Sequence, residues 1–520
     1  MIVTAGESTW PYTVSSAVQF ERLGEAIATV GDFDGDGISD AIIGSSRSTG
    51  RKYNHGEVYL VLLLRDGSVK SVVALRESSP SQAPPQLAYE YFGSSVASVA
   101  DLDNDFLPDS GGDFDADGVP DVAIGAYGAD GVAKNTGAVY LMFLTSTGQP
   151  REYIKLANET GSATTISMQI PAGAKFGTSV AVRDVSNSVV RLAVGAPGVN
   201  DGAGAVYLLS VDLASPPQLL SIQTVNSPEE SIDALFGASV AWMPDGNGDG
   251  EPELLIGAPG HKNTGSVYII DSTKRELCTV CHAGGVLTSP QATGGASFGK
   301  SVALGPDWDG NGQREILVGA PGVNNGIIYT FYAGAPQWTS WAGTDLISPF
   351  GNKGFGESVA TLGFLNDDAV PDVIVGTPQA GRDASSNGGF ATVMPRTHTF
   401  PPPAPPSEPP LPIAPDTIGK KADTSALTGA LDGGAVGGVF VWTILIIIAV
   451  SLFFIWLCWK FFRRTKVEIT ARRRARGNYP EMTSQASTGP PMLGAGGPSA
   501  GASIGSSSET SGHFEELAAI

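Results

Sequence analysis

The feature that most constrains this chain is an internal repeat. Six segments open with an aromatic residue or Leu, then Gly, then a short β-prone run. They are Leu23-Gly24-Glu25-Ala26-Ile27, Phe92-Gly93-Ser94-Ser95-Val96, Phe176-Gly177-Thr178-Ser179-Val180, Phe236-Gly237-Ala238-Ser239-Val240, Phe298-Gly299-Lys300-Ser301-Val302 and Phe355-Gly356-Glu357-Ser358-Val359. Successive openings lie 69, 84, 60, 62 and 57 residues apart. A second apolar run ends in a Gly-small-Pro turn, clear at Gly195-Ala196-Pro197, Gly257-Ala258-Pro259 and Gly319-Ala320-Pro321 and varied at Gly44-Ser45, Gly125-Ala126 and Gly376-Thr377-Pro378. A third run starts after Asn and Gly, as in Asn135-Thr136-Gly137-Ala138-Val139-Tyr140, and looser stretches such as Ser71-Val72-Val73-Ala74-Leu75 supply a fourth. Val, Ile and Thr dominate these runs, which favours strands. A period of roughly 60 residues with four strands per unit predicts an all-β β-propeller, since one blade cannot bury both faces alone. Six repeats are visible, which leaves six or seven blades. The sixth runs into prolines where its fourth strand belongs, and residues near Tyr12 to Val18 are expected to supply that strand.

Between the first and second strands most repeats carry an acidic loop. In Asp32-Phe33-Asp34-Gly35-Asp36-Gly37-Ile38-Ser39-Asp40, carboxylates stand at positions 1, 3, 5 and 9, with Gly at position 6 for the turn. That many hard oxygen ligands suits calcium, which accepts six to eight of them. Aligned loops hold Asp113, Asp115, Asp117 and Asp121; Asp245, Asn247, Asp249 and Glu253; and Asp307, Asp309, Asn311 and Glu315. Ile38, Val119, Glu251 and Gln313 at position 7 would offer backbone carbonyls. About four structural calcium ions are therefore expected. Asp101 to Asp109 is a tandem copy without the Gly, readable as a further ion site or as a solvated insertion. The sixth loop has Phe364 in the first ligand position, and the third ends at Arg191 where an acid belongs, so the third is expected to bind no calcium.

Taken as a set, Phe-Gly, D-x-D-x-D-G-x-x-D and Gly-Ala-Pro resemble the FG-GAP repeats of integrin α-subunit heads, over roughly residues 20–396. The resemblance implies a propeller, seven-bladed in that family, with structural calcium on one face and ligand contacts on the blade loops opposite. Asp184-Val185-Ser186-Asn187-Ser188 matches the adhesion motif of inserted integrin domains, but no helical sequence long enough for such a domain interrupts the repeat. FG-GAP propellers also accompany a phospholipase D, whose separate catalytic domain has no room here. No enzyme is expected, and His55, in a turn, is not a base.

Thr397 to Gly434 reads as a stalk; nine prolines between Pro401 and Pro415 favour a semi-rigid polyproline II spacer. Ala435 to Trp459 is 25 residues without a charge, long enough to span a membrane. Lys460, Arg463, Arg464, Lys466 and Arg472 to Arg474 follow at once, placing residues 460–520 in the cytoplasm and 1–396 outside, a type I plasma-membrane topology. Lys460-Phe461-Phe462-Arg463-Arg464 resembles the G-F-F-K-R motif of integrin α subunits, which helps pair α and β membrane segments; an interfacial anchor is the plainer reading. Gly433, Gly434, Gly437 and Gly438 form two G-x-x-x-G spacings open to helix pairing. The tail from Gly477 is rich in Gly, Ser, Ala and Pro and is expected to be disordered. Gly501-Ala502-Ser503-Ile504-Gly505 lacks the strand-turn-helix context of a hydrolase elbow. The N-terminus has no basic and apolar leader, so a leader upstream is expected.

Net charge is −21, which makes nucleic acid an unfavourable partner and cations favourable ones. Cys278 and Cys281 are expected to form a small disulfide; zinc would need a second ligand pair that His282 does not supply. Asn158-Glu159-Thr160 is the head's glycosylation sequon. The reading is a single-pass adhesion or ligand-binding receptor for an extracellular protein or glycan, with a β-subunit-like membrane partner left open because integrin leg domains are missing. The alternatives are a structural surface protein without a ligand and a non-catalytic remnant of an FG-GAP-associated enzyme.

Overall fold

The computed structural model describes most of residues 22–394 and the short strands Ile2–Thr4 and Thr13–Ser15. Residues 49–53, 76–88, 102–111, 343–353, 366–370 and 379–389, some shorter stretches and everything from 395 onward lie outside the description. No described helix is long and apolar enough to cross a membrane; the stalk, the apolar run Ala435 to Trp459 and the tail fall outside the described residues.

Among the described residues each repeat folds as one sheet, six in all, antiparallel except where Thr165–Ser167 adds a parallel fifth strand at the edge of blade 2. Blade 1 is Ala26–Gly31, Asp40–Ser45, Glu57–Leu63 and Val69–Ala74; the others repeat that order. In blades 1 to 4, whose outer strands have described side chains, burial falls from the middle of the sheet outward. The second strands Asp40–Ser45, Val122–Ala126, Glu253–Ala258, Ile316–Ala320 and Asp372–Thr377 are buried at every residue. The outer strand of blade 3, Gln218–Asn226, is mostly exposed. A middle strand is covered by a neighbouring blade on each face, so unbroken apolar runs fit it, whereas an outer edge meets water. In blade 4 the outer strand is split into Glu276–Leu277 and Val286–Thr288 around a loop closed by a Cys278–Cys281 disulfide.

The innermost strands pack against one another in chain order, and that of blade 6, Ser358–Gly363, packs against Ala26–Gly31 of blade 1. The ring therefore closes on six blades. Blade 6 is completed from the other end of the chain: Thr13–Ser15 pairs antiparallel with Phe390–Met394, and Ile2–Thr4 pairs with Thr13–Ser15. The strand expected near Tyr12 to Val18 is thus in place, with one more outside it.

The repeated motif is what holds blade to blade. Gly44, Gly125, Gly195, Gly257, Gly319 and Gly376 end the second strands; a Cβ on any of them would fall within 3.0 Å of the opening-Gly carbonyl of the next blade. Any side chain there would push two blades apart. The same carbonyls accept hydrogen bonds from Ser95, Ser179, Ser239, Ser301 and Ser358, each reaching forward one blade, and Ser358 closes the ring onto Gly24 at 2.8 Å. Blade 1 has Ala26 in that place. The opening Phe serves two blades. The backbone N–H of Phe176 donates to Thr136 of blade 2 at 2.9 Å, while its ring meets Tyr207 of its own blade edge-on at 5.7 Å. Phe236 and Phe298 repeat the arrangement with Tyr268 and Tyr329. Burying one such ring contributes about 2–3 kcal/mol.

Candidate metal loops

The four loops share one hydrogen-bond scaffold, built outward from the position-1 aspartate. Asp32, Asp113, Asp245 and Asp307 each accept from the backbone N–H groups of positions 5 and 6, at 2.6–3.2 Å. Position 5 then accepts from the N–H of position 7: Asp36 from Ile38, Asp117 from Val119, Asp249 from Glu251 and Asn311 from Gln313. The Gly at position 6 has positive φ in all four, between 84° and 89°, as the tight turn requires.

Position 9 anchors the loop to the blade. Asp40, Asp121, Glu253 and Glu315 are buried, and each accepts from the N–H of position 2, which is Phe33, Phe114, Gly246 or Trp308. In the first two blades the other carboxylate oxygen accepts from the third strand, at Leu63 and Leu144. Burial pushes the Asp40 carboxyl up to about 7 and that of Asp121 up to about 8, against those backbone donors and with the neighbouring aspartates adding to the rise. Glu253 is raised for the same reason. Asp245, by contrast, is lowered by the N–H groups it caps, that of Gly250 foremost.

Ligand atoms of Asp32, Asp34 and Asp36, of Asp113, Asp115 and Asp121, and of Asp245, Asp249 and Glu253 lie within 4.8 Å of one another. Three anionic oxygens so close repel unless a cation sits among them. In two loops a basic side chain from the fourth strand does so: Lys70 Nζ is 2.8 Å from Asp34 and 2.6 Å from Asp36, and Arg151 reaches Asp115 and Asp117. The donor set fits a hard divalent ion. In blade 4 the Asn247 amide donates to Glu253 and Asp271, while its Oδ1 accepts from the Asp249 N–H at 2.9 Å. Asp309 lies outside the described residues, so the fifth loop is seen through Asp307, Asn311 and Glu315.

Blade 3 is built differently. Its strands Ser179–Ser186 and Val189–Ala196 are joined directly through Asn187 and Ser188, both at positive φ, a two-residue turn with no room for a nine-residue loop. Arg191 and Arg183 both pair with Asp184, putting guanidinium charge beside it. The D-x-S-x-S match is this hairpin. In blade 6 Asp372 keeps the anchoring bond to Leu365, 3.0 Å, while Phe364 is exposed and Asn366 and Asp368 lie outside the described residues. Asp101 turns its carbonyl and carboxylate to Arg314; the rest of the tandem copy is outside the description. Asn158 is half-buried and its amide donates to the Ile170 carbonyl at 2.7 Å, a bond that a glycan would have to replace.

His261 carried no signal in the sequence reading. It links Glu229 and Ser266 at 2.9 and 2.8 Å, an order that resembles an acyl-transfer triad. At 3% and 2% exposure, His261 and Ser266 form an internal hydrogen-bond chain.

A family model described as FG-GAP repeat matches residues 110–142 and 236–270, which include the second and fourth loops. The chain thus carries FG-GAP repeats in these two segments. Its head is, more particularly, integrin-α-like: integrin alpha-7 of Rattus norvegicus is 29% identical over 211 residues, covering 36% of this chain and 17% of that protein. Integrin alpha-5 of Xenopus laevis is 32% identical over 176 residues (30% and 15% covered), and integrin alpha-IIb of Mus musculus 33% over 165 (30% and 16%). The aligned part is thus less than a fifth of each of these relatives.

Proposed function

We propose that the chain is a single-pass cell-surface receptor for adhesion or ligand binding, its propeller outside the cell and stabilised by calcium in about four loops. Residues 1–396 form the head, 397–434 the stalk, 435–459 the membrane span and 460–520 the cytoplasmic segment. The ligand is an extracellular protein or glycan, and a β-subunit-like partner would meet the chain through its membrane segment. The observation that carries the reading is the shared scaffold of the four loops, which gathers carboxylates at one face of an integrin-α-like ring.

Calcium binds only the folded loops and so raises stability by mass action, about 2.7 kcal/mol per site at a hundredfold excess over Kd. The purified full chain should melt at a clearly higher temperature in calcium than in chelator. Equal midpoints would remove the metal assignment. Proximity labelling at the cell surface then tests the receptor role, a recurrent extracellular neighbour being the expected result.

A further inference from the structure

The innermost strands enclose an axial channel whose two ends differ. Toward the metal loops, Arg314 of blade 5 crosses to Asp101 of blade 2, its Nη1 donating to the Asp101 carbonyl at 2.5 Å and carboxylate at 3.0 Å. Blades 2 and 5 stand opposite in a six-blade ring, so this contact bars the channel. At the other end, where the strands begin, the channel opens into a cup of about 600 Å3. Ile27, Val96, Val180, Val240, Val302 and Val359, one from each blade, line its wall.

The charge of the cup runs against that of the chain. Four bases line it, Arg22, Arg47, Lys175 and Lys300, with two acids, Glu25 and Glu357, in a chain of net charge −21. Both acids are already engaged. Glu357 holds Arg22, with Lys300 at 3.7 Å, and Glu25 accepts from Ser46 and stands 3.5 Å from Arg22. Arg47 and Lys175 are exposed and pair with no carboxylate among the described residues. The buried Arg22 Nε makes no hydrogen bond.

We propose that the cup receives a carboxylate side chain, Asp or Glu, carried on a loop of a protein partner. Arg47 and Lys175 supply the free positive charge, and the apolar wall lowers the local dielectric and so strengthens the pairing. Two unpaired cations in a concavity suit one or two carboxylates. A sulfated glycan would need a continuous basic track, which an acidic surface denies it. The inference takes from the receptor reading only that the head meets a partner.

The test uses the full chain in detergent with calcium and a fluorescent hexaglutamate peptide, with hexalysine and a heparin hexasaccharide as alternatives. Hexaglutamate should bind, and the double variant Arg47→Glu, Lys175→Glu should weaken it at least about tenfold. Arg275→Glu, an exposed change of the same sign elsewhere, should not. The altered residues are on the surface, so thermal midpoints should stay at the wild-type value and exclude misfolding. Absence of hexaglutamate binding, tighter binding of hexalysine, or indifference to the double variant would overturn the proposal. Tighter, variant-sensitive binding of heparin would overturn it in favour of a glycan. The calcium-dependent midpoint and surface labelling read the receptor proposal separately.

Discussion

At the residue scale the loops are held by charges that need a counter-charge. Asp40 and Asp121 sit near 7 and 8 when buried without a cation, far above the unfolded value of about 3.9. Between those limits the folded head holds protons that the unfolded chain has released, so its stability rises as pH falls. In chelator the thermal midpoint should be higher at pH 5.5 than at pH 8.5, and calcium should abolish the difference. An opposite slope in chelator would mean that these carboxylates are ionised in the metal-free fold. Lys70 makes a second case. Its ammonium is tied to Asp34 and Asp36, an arrangement that lowers Asp36 and competes with a divalent ion. Lys70→Ala should tighten calcium binding at the first loop, by less than about fivefold because the pair is partly exposed. Calorimetric titration reads it; weaker binding would show that Lys70 supports the site. The spacing of these acids was legible in the sequence. That the position-9 acid is the buried one, tied to the blade by backbone N–H groups, was not, because its chemistry matches that of the exposed acids and only packing separates them.

At the scale of the blade, the Phe-Gly and Gly-small-Pro motifs are an interface rather than an internal need of the strands. Gly257 lies against the Gly299 carbonyl with no room for a Cβ, and Ser239 donates to that carbonyl at 2.9 Å. Gly257→Ala must separate blades 4 and 5 or distort both, at about 2–3 kcal/mol. Ser239→Ala leaves the cleft intact but the carbonyl unpaired, at about 1–3 kcal/mol. Melting both variants in calcium should put Gly257→Ala at or below Ser239→Ala; a neutral Gly257→Ala would mean the blades are not in contact there. The third repeat shows where pattern reading stops. Its loop reads as a decayed metal site, and the structure makes it a two-residue hairpin with Arg191 beside Asp184.

For the whole molecule the closing contact joins residues far apart in sequence. Thr13–Ser15 adds to Phe390–Met394, and Ser358 bonds to Gly24. Deleting residues 1–16 should strip both short strands from blade 6, lower the midpoint and leave an open edge that promotes association. Light scattering beside calorimetry checks this; an unchanged midpoint would mean that the ring is closed without them. The sequence by itself determined the all-β propeller, the repeat openings and the spacing of the acidic loops, because periodicity and side-chain chemistry are local properties. Only the tertiary structure decided the six-blade ring, the Arg314–Asp101 bar and the basic cup at the mouth of the channel. These bring together residues from different blades, and no spacing along one strand records which blade stands opposite another.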